Sequence, residues 1–189
     1  MKNAIIIHGN PSKREYYSDE YPASSNFHWL PWLQKQLLIR DIYAVTPEMQ
    51  YAFMPDYKIW KKEFERNDIT AETILVGHSC GGGFLVRWLS ENKEVKVGKV
   101  VLVAPWLDPE NSIDTDFFNF QIDPNLATRT AGLTVFSSTD DTDDIQKSVI
   151  GIINVIPSTE LVEFESGGHF TGDTYIRNGF PELLEEILK

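Results

Sequence analysis

Two hydrophobic patterns alternate along the chain. Short apolar, β-branched runs recur at Ala4–His8, Ile42–Thr46, Thr73–Val76, Val100–Ala104, Leu133–Ser137 and Glu160–Phe164. Several are continuously apolar, as expected of parallel strands covered on both faces. Helical patterns lie between them. Trp29–Leu38 places Leu30, Leu33 and Leu37 on one face, with Pro31 tolerable in a first turn. Asp56–Asn67 opens on a capping Asp56 and aligns Tyr57, Trp60 and Phe64. Cys80–Glu91 carries Phe84, Leu85, Trp88 and Leu89, and Ile145–Val155 and Pro181–Leu188 complete the set, the last with proline at its first position. This alternation predicts an open, mostly parallel α/β sheet of about six strands, with helices on both faces and right-handed crossovers. Ligands of such sheets bind at the carboxyl ends of the strands.

The 189 residues contain no repeats, low-complexity tracts or linkers, so a single domain over 1–189 is expected. A net charge of −11 argues against nucleic acid or an anionic membrane as the main partner, since either needs a basic footprint. The one cysteine, Cys80, cannot form an internal disulfide, and the apolar stretch at the start is too short for a signal peptide or a membrane span. A soluble, cytoplasmic protein is expected.

Directly after the third predicted strand comes Gly77-His78-Ser79-Cys80-Gly81-Gly82-Gly83. Ser79 thus stands in G-x-S-x-G between a strand and an amphipathic helix. A serine thrust out on a strained strand-to-helix turn needs neighbours without side chains, so that strand and helix can approach. A phosphate-cradling loop is excluded, because Gly83 is followed by Phe84-Leu85 rather than Lys-Ser/Thr. A dinucleotide fingerprint fails too, for want of a third glycine at the required spacing.

A serine hydroxyl is a poor nucleophile at neutral pH, so a base must take its proton and an acid must orient that base. In this fold class the chain order is Ser, then Asp or Glu, then His. The one histidine downstream of Ser79 is His169, in Ser166-Gly167-Gly168-His169-Phe170 just after the last strand. The acid should follow the preceding strand, where Ser138-Thr139-Asp140-Asp141-Thr142-Asp143-Asp144 offers four aspartates. Spacing leaves the choice among them open, with Asp144 also placed to cap the helix at Ile145. An EF-hand is ruled out by the absent glycine and bidentate glutamate.

Taken together, His8-Gly9, Gly77-His78-Ser79-Cys80-Gly81, Ser138-Thr139-Asp140-Asp141, Gly168-His169-Phe170 and His28-Trp29-Leu30-Pro31-Trp32-Leu33 resemble the small, lidless α/β-hydrolases of the YdeN and retinoblastoma-binding protein 9 type. The resemblance covers nearly the whole chain. It implies an α/β-hydrolase fold without a cap domain and a serine hydrolase acting on small esters, a carboxylesterase, with no cofactor or metal. It also implies that the second aspartate, Asp141, is the triad acid. This chain departs from the family by continuing Thr142-Asp143-Asp144 where an apolar residue or two and a proline are usual, which keeps Asp140 as an alternative. The readings that compete with an esterase are a binding or interaction protein on a hydrolase fold, or an aminopeptidase or acyltransferase with the same triad.

In this fold the oxyanion donors are the amide after the nucleophile, at Cys80, and one from the loop after the first strand, which assigns the amide of Asn10. The Cys80 side chain reads as a packing group. His78 reads as structural, His8 as a group orienting the oxyanion loop, and His28 as the start of a helix. Residues 10–27, with Tyr16, Tyr17 and Tyr21, show no clear periodicity and are a candidate binding segment. Residues 106–130, with Phe117, Phe118 and Phe120, allow a short flap or helix, and core contact is the favoured role for those phenylalanines. The charge is uneven: residues 1–107 carry 13 basic and 12 acidic side chains, residues 108–189 carry 4 and 16. That field favours a neutral or cationic small-molecule acyl substrate.

Overall fold

The computed structural model describes residues 2–172, 175 and 179–189. The strands are β1 (Asn3–Ile7), β2 (Tyr43–Val45), β3 (Ile74–His78), β4 (Val100–Val103), β5 (Leu133–Ser138) and β6 (Glu160–Phe164). All pair in parallel, in the order β2-β1-β3-β4-β5-β6. The strands β3, β4 and β5 are buried throughout, whereas the edge strand β6 is largely exposed or half-buried. The helices are α1 (Lys13–Tyr17), α2 (Leu30–Leu38), α3 (Tyr57–Phe64), α4 (Cys80–Glu91), α5 (Asp143–Val155) and α6 (Pro181–Leu188). Each predicted element is present, with ends displaced by at most a few residues.

The strand order reverses direction at β1. Right-handed crossovers then place α2 on one face and α3, α4 and α5 on the other. Side-chain contacts follow this division. Phe64 of α3 packs edge-on against Trp88 of α4 at 4.9 Å, and Trp60 against Phe84 at 5.7 Å. On the opposite face Trp29, which precedes α2, meets Phe180, which precedes α6, and Phe180 packs on Phe136 of β5. Each such buried aromatic contributes on the order of 2–3 kcal/mol of apolar burial.

The N-terminus of α6 carries the predicted proline. The helix is fastened by Glu186, whose carboxylate accepts from Lys99 Nζ at 2.6 Å, Thr134 Oγ1 at 2.8 Å and Lys189 Nζ at 2.6 Å. Burial alone would raise this carboxyl, but the hydrogen bonds from Lys189, Lys99 and Thr134 outweigh it and hold its pKa at about 2.

Two local readings change, and a third stands. Residues 10–27 contain α1, opened by a capping box between Ser12 and Glu15, and a 3-10 turn at Ser24–Asn26. At α5 the N-cap position belongs to Thr142 rather than Asp144, because Asp143 and Asp144 already have helical backbone in the first turn. Residues 106–130 form no cap domain. They hold one 3-10 turn, Leu126–Arg129, and Phe117 is fully buried against Trp60 and Phe84. Among the described residues no helix is long and apolar enough to cross a membrane.

Candidate active site

Ser79 links β3 to α4 with φ 53° and ψ −122°, a conformation that costs a non-glycine residue about 1–3 kcal/mol. The surroundings hold it there. Its N–H donates to Val103 O at 2.9 Å, and its carbonyl accepts from Gly82, Gly83 and Trp106 at 2.9, 3.1 and 3.0 Å. The flanking glycines are required sterically. A Cβ on Gly77 would lie 2.7 Å from Gly81 O, and one on Gly81 would lie 2.5 Å from the carbonyl oxygens of Ile7 and His8.

His169 follows β6 and Asp141 follows β5, so sheet topology brings the two loops together at the carboxyl ends of adjacent strands. His169 Nδ1 lies 2.8 Å from Asp141 Oδ2. The other Asp141 oxygen accepts from the Thr142 N–H at 2.7 Å, and the carboxylate is buried. Asp140 faces elsewhere: it accepts from Ser138 Oγ at 2.5 Å and from the Gly168 N–H at 2.7 Å, and the first of these chiefly holds its carboxyl below the usual range. One aspartate therefore meets the imidazole, and its neighbour fastens the loop that carries it.

His78 fastens the same loop from below. Its Nε2 lies 2.9 Å from the His169 carbonyl. Burial, and then the field of His169, push its pKa well below the ordinary value, so the ring is neutral and donates Nε2–H to that oxygen. Ser79 Oγ and the His169 ring line a common cavity without a direct hydrogen bond between them, a contact that in unliganded sites commonly tightens only with substrate.

The loop after β1 completes the arrangement. Neither the Asn10 amide nor the Cys80 amide donates to a protein acceptor among the described residues. His8 sets the attitude of the first of these. Met49 N–H donates to His8 Nε2 at 2.9 Å, so the ring proton sits on Nδ1 and is donated to Gly9 O at 2.7 Å. Gly9 O and the Asn10 N–H are opposite edges of one trans peptide, so fixing the carbonyl turns the amide away from His8. The Cys80 thiol is buried, and burial, with Asp108 adding to it, raises its pKa well above the ordinary value.

Two cavities flank Ser79. The larger, about 610 Å³, is walled by the 10–28 segment, including Tyr16, Tyr21, Phe27 and His28, and by Ser79, His78 and His169. The smaller, about 410 Å³, lies between Trp106, Ile145, Asp141 and Asp144. Glu15 and Glu48 line the first and Asp141 and Asp144 the second, and among the described lining residues there is no lysine or arginine.

The match of the family model for serine hydrolases to residues 19–181 decides the family. The chain belongs to the serine hydrolases. YdeN of Bacillus subtilis (strain 168) is 26% identical to it over 187 residues, which are 96% of this chain and 90% of YdeN. The crystal structure of YdeN superposes with a TM-score of 0.82 at 24% identity, covering 100% of this chain and 97% of that one. Est1E from Butyrivibrio proteoclasticus shares the fold with a TM-score of 0.64 at 14% identity, over 100% of this chain and 89% of Est1E. These likenesses establish this serine hydrolase as an α/β-hydrolase fold of the YdeN-like type.

Sequence reasoning named Ser79, Asp141, His169, Asn10 and Cys80; the structure sets the first four around one cavity and Cys80 directly after Ser79. It missed the tether from His78 to His169, the Asp140–Gly168 bond, and His28 as a wall of the larger cavity. It also missed Gly83, where a Cβ would fall 2.0 Å from Trp106 O. Only the run of three glycines, longer than G-x-S-x-G requires, signalled that last contact.

Proposed function

We propose that this serine hydrolase cleaves small carboxylic esters through a Ser79–His169–Asp141 triad. The carrying observation is the 2.8 Å Asp141–His169 pair, whose two residues line the smaller cavity together with the strained Ser79. In the acylation step Ser79 Oγ attacks the ester carbonyl while His169 Nε2 takes its proton. Asp141 holds Nδ1–H and stabilises the imidazolium. The oxyanion of the tetrahedral intermediate is met by the unengaged amides of Asn10 and Cys80. On collapse His169 returns the proton to the departing alcohol, leaving an acyl-Ser79. Water, activated by the same imidazole, then releases the acid and regenerates the serine.

Carboxylates without basic residues in the cavity walls support neutral or cationic substrates over anionic ones. Equal kcat/KM for matched neutral and anionic esters at low salt would contradict that preference. The free, buried Cys80 suits a reducing compartment such as the cytoplasm. The reaction is tested by turnover of short p-nitrophenyl esters, which Ser79→Ala should abolish. Profiling against ester, thioester and aminoacyl-amide substrates then ranks the acyl-transfer chemistries. A protein inactive across that panel would instead be a binding module on a hydrolase fold.

A further inference from the structure

His28 has no task in the mechanism above, and its setting is costly. His8 is bonded at both ring nitrogens, His78 grips the His169 carbonyl, and His169 pairs with Asp141. His28 has no hydrogen bond among the described residues, and its Nδ1 is buried without a partner. Its backbone lies in the left-handed region at φ 53°, where glycine or asparagine would sit with less strain. Nothing about starting α2 requires this, because the N-cap position belongs to Trp29 and makes no side-chain capping bond.

What the conformation achieves is placement. The His28 ring stacks on Phe27 at 4.0 Å and forms part of the larger cavity's wall. It stands 6.3 Å from the His78 ring, which in turn stands 4.9 Å from His169. With Nδ1 shut away from any acceptor, the economical tautomer leaves Nδ1 bare and carries the proton on Nε2, since an unpaired buried donor is the costlier orphan. Burial, followed by the field of His169 and opposed by Glu15, lowers its pKa, so the ring is neutral and keeps both donor and lone pair.

The geometry points to His28 as a specificity-determining residue that donates Nε2–H to a hydrogen-bond acceptor of the substrate, a few bonds from the scissile carbonyl. The favoured substrates are esters with an ether, hydroxyl or carbonyl oxygen in the arm that enters the larger cavity, over purely alkyl esters. This rests on the reading of Ser79 as nucleophile, which fixes where the scissile carbonyl lies.

The test uses two pairs of near-isosteric esters that place the oxygen on either side of the reacting bond: phenyl 3-methoxypropanoate with phenyl pentanoate, and 2-methoxyethyl benzoate with butyl benzoate. Binding is measured calorimetrically to Ser79→Ala and to Ser79→Ala carrying His28→Gly, which the left-handed backbone accepts. His28→Asn serves as a second replacement that tolerates the same backbone. Loss of one hydrogen bond predicts that the ether member of one pair weakens about threefold to tenfold relative to its alkyl partner. Both members weakening in parallel, or neither, would overturn the role of His28. Wild-type turnover of the same esters separates the two readings. Turnover without an ether-dependent change in binding removes the role of His28 and keeps the hydrolase. An ether-dependent change without turnover keeps the role of His28 and removes the ester chemistry.

Discussion

Under the proposed mechanism, replacing His8 should separate catalysis from stability, because its two ring nitrogens make different bonds. Nδ1–H fixes the Gly9 carbonyl at 2.7 Å and so aims the Asn10 amide, while Nε2 accepts from the buried Met49 N–H at 2.9 Å. His8→Leu removes both bonds at similar volume. Losing an oxyanion donor outright costs about 10²–10³ in kcat. Here the Asn10 amide stays in the chain and loses only its fixed direction, so a fall of about 10-fold to 100-fold is expected, in kcat rather than KM. Orphaning the Met49 N–H costs about 1–3 kcal/mol. In a domain of this size each kcal/mol lowers Tm by about 2–4 °C. Two further variants cross the effects. His8→Asn sets an amide N–H near the place of Nδ1–H and should recover kcat but not Tm. His8→Gln offers a carbonyl near the place of Nε2 and should recover Tm but not kcat. Steady-state kinetics on a short p-nitrophenyl ester and a thermal melt read both quantities. Recovery of kcat by His8→Gln, or a loss of Tm in His8→Leu with kcat unchanged, would refute the link from His8 to the oxyanion amide.

The two adjacent aspartates should part company in the same assay. Asp141→Asn removes the carboxylate paired with His169 and should cost on the order of 10⁴ in kcat, whereas Asp140→Asn loosens the Gly168 N–H contact and should cost less than about tenfold; the reverse ranking would move the acid to Asp140. Stability should fall with acid in two windows. His8, His28 and His78 are all held below their ordinary 6.5 by burial, so the unfolded chain binds protons that the folded one refuses; their contribution is full above about pH 6.5 and declines below it. Glu186, lowered from 4.5 to about 2, contributes above pH 4.5 up to about 3 kcal/mol, which is lost as pH falls towards 2. Thermal melts across both windows should show both declines in the wild type and the second one flattened in Glu186→Gln, and an unchanged lower limb in that variant would contradict the assignment.

Much of the fold was legible because its signals are periodic. The apolar runs within β1, β3 and β4 admit few alternatives once helical spacing separates them. Ser79 and His169 stood out as candidates for a different reason, since G-x-S-x-G fixes a strained turn locally and His169 was the only downstream imidazole. Asp140 and Asp141 could not be told apart by spacing alone, because adjacent residues near a strand end point in different directions that only the folded loop sets. The roles of His78 and His28 were hidden more deeply. His78 bonds a carbonyl 91 residues away, and His28 reaches the cavity wall through a left-handed backbone that no pattern of side chains announces. Helix α1 is a single polar turn, too short for hydrophobic periodicity, although Ser12-Lys13-Arg14-Glu15 already carried the capping-box signature. The Asp144 reading failed because the backbone already turns helical at Asp143, which leaves the N-cap position to Thr142 although its side chain makes no capping bond.

The proposed function rests on Ser79 as the nucleophile, activated by His169. Intact-protein mass spectrometry after exposure to a fluorophosphonate, followed by peptide mapping, tests it most directly. One phosphonyl adduct is expected on Ser79 in the wild type, none in Ser79→Ala, and markedly slower labelling in His169→Ala. Equal labelling of Ser79→Ala, or an adduct mapped to any other residue, would contradict it.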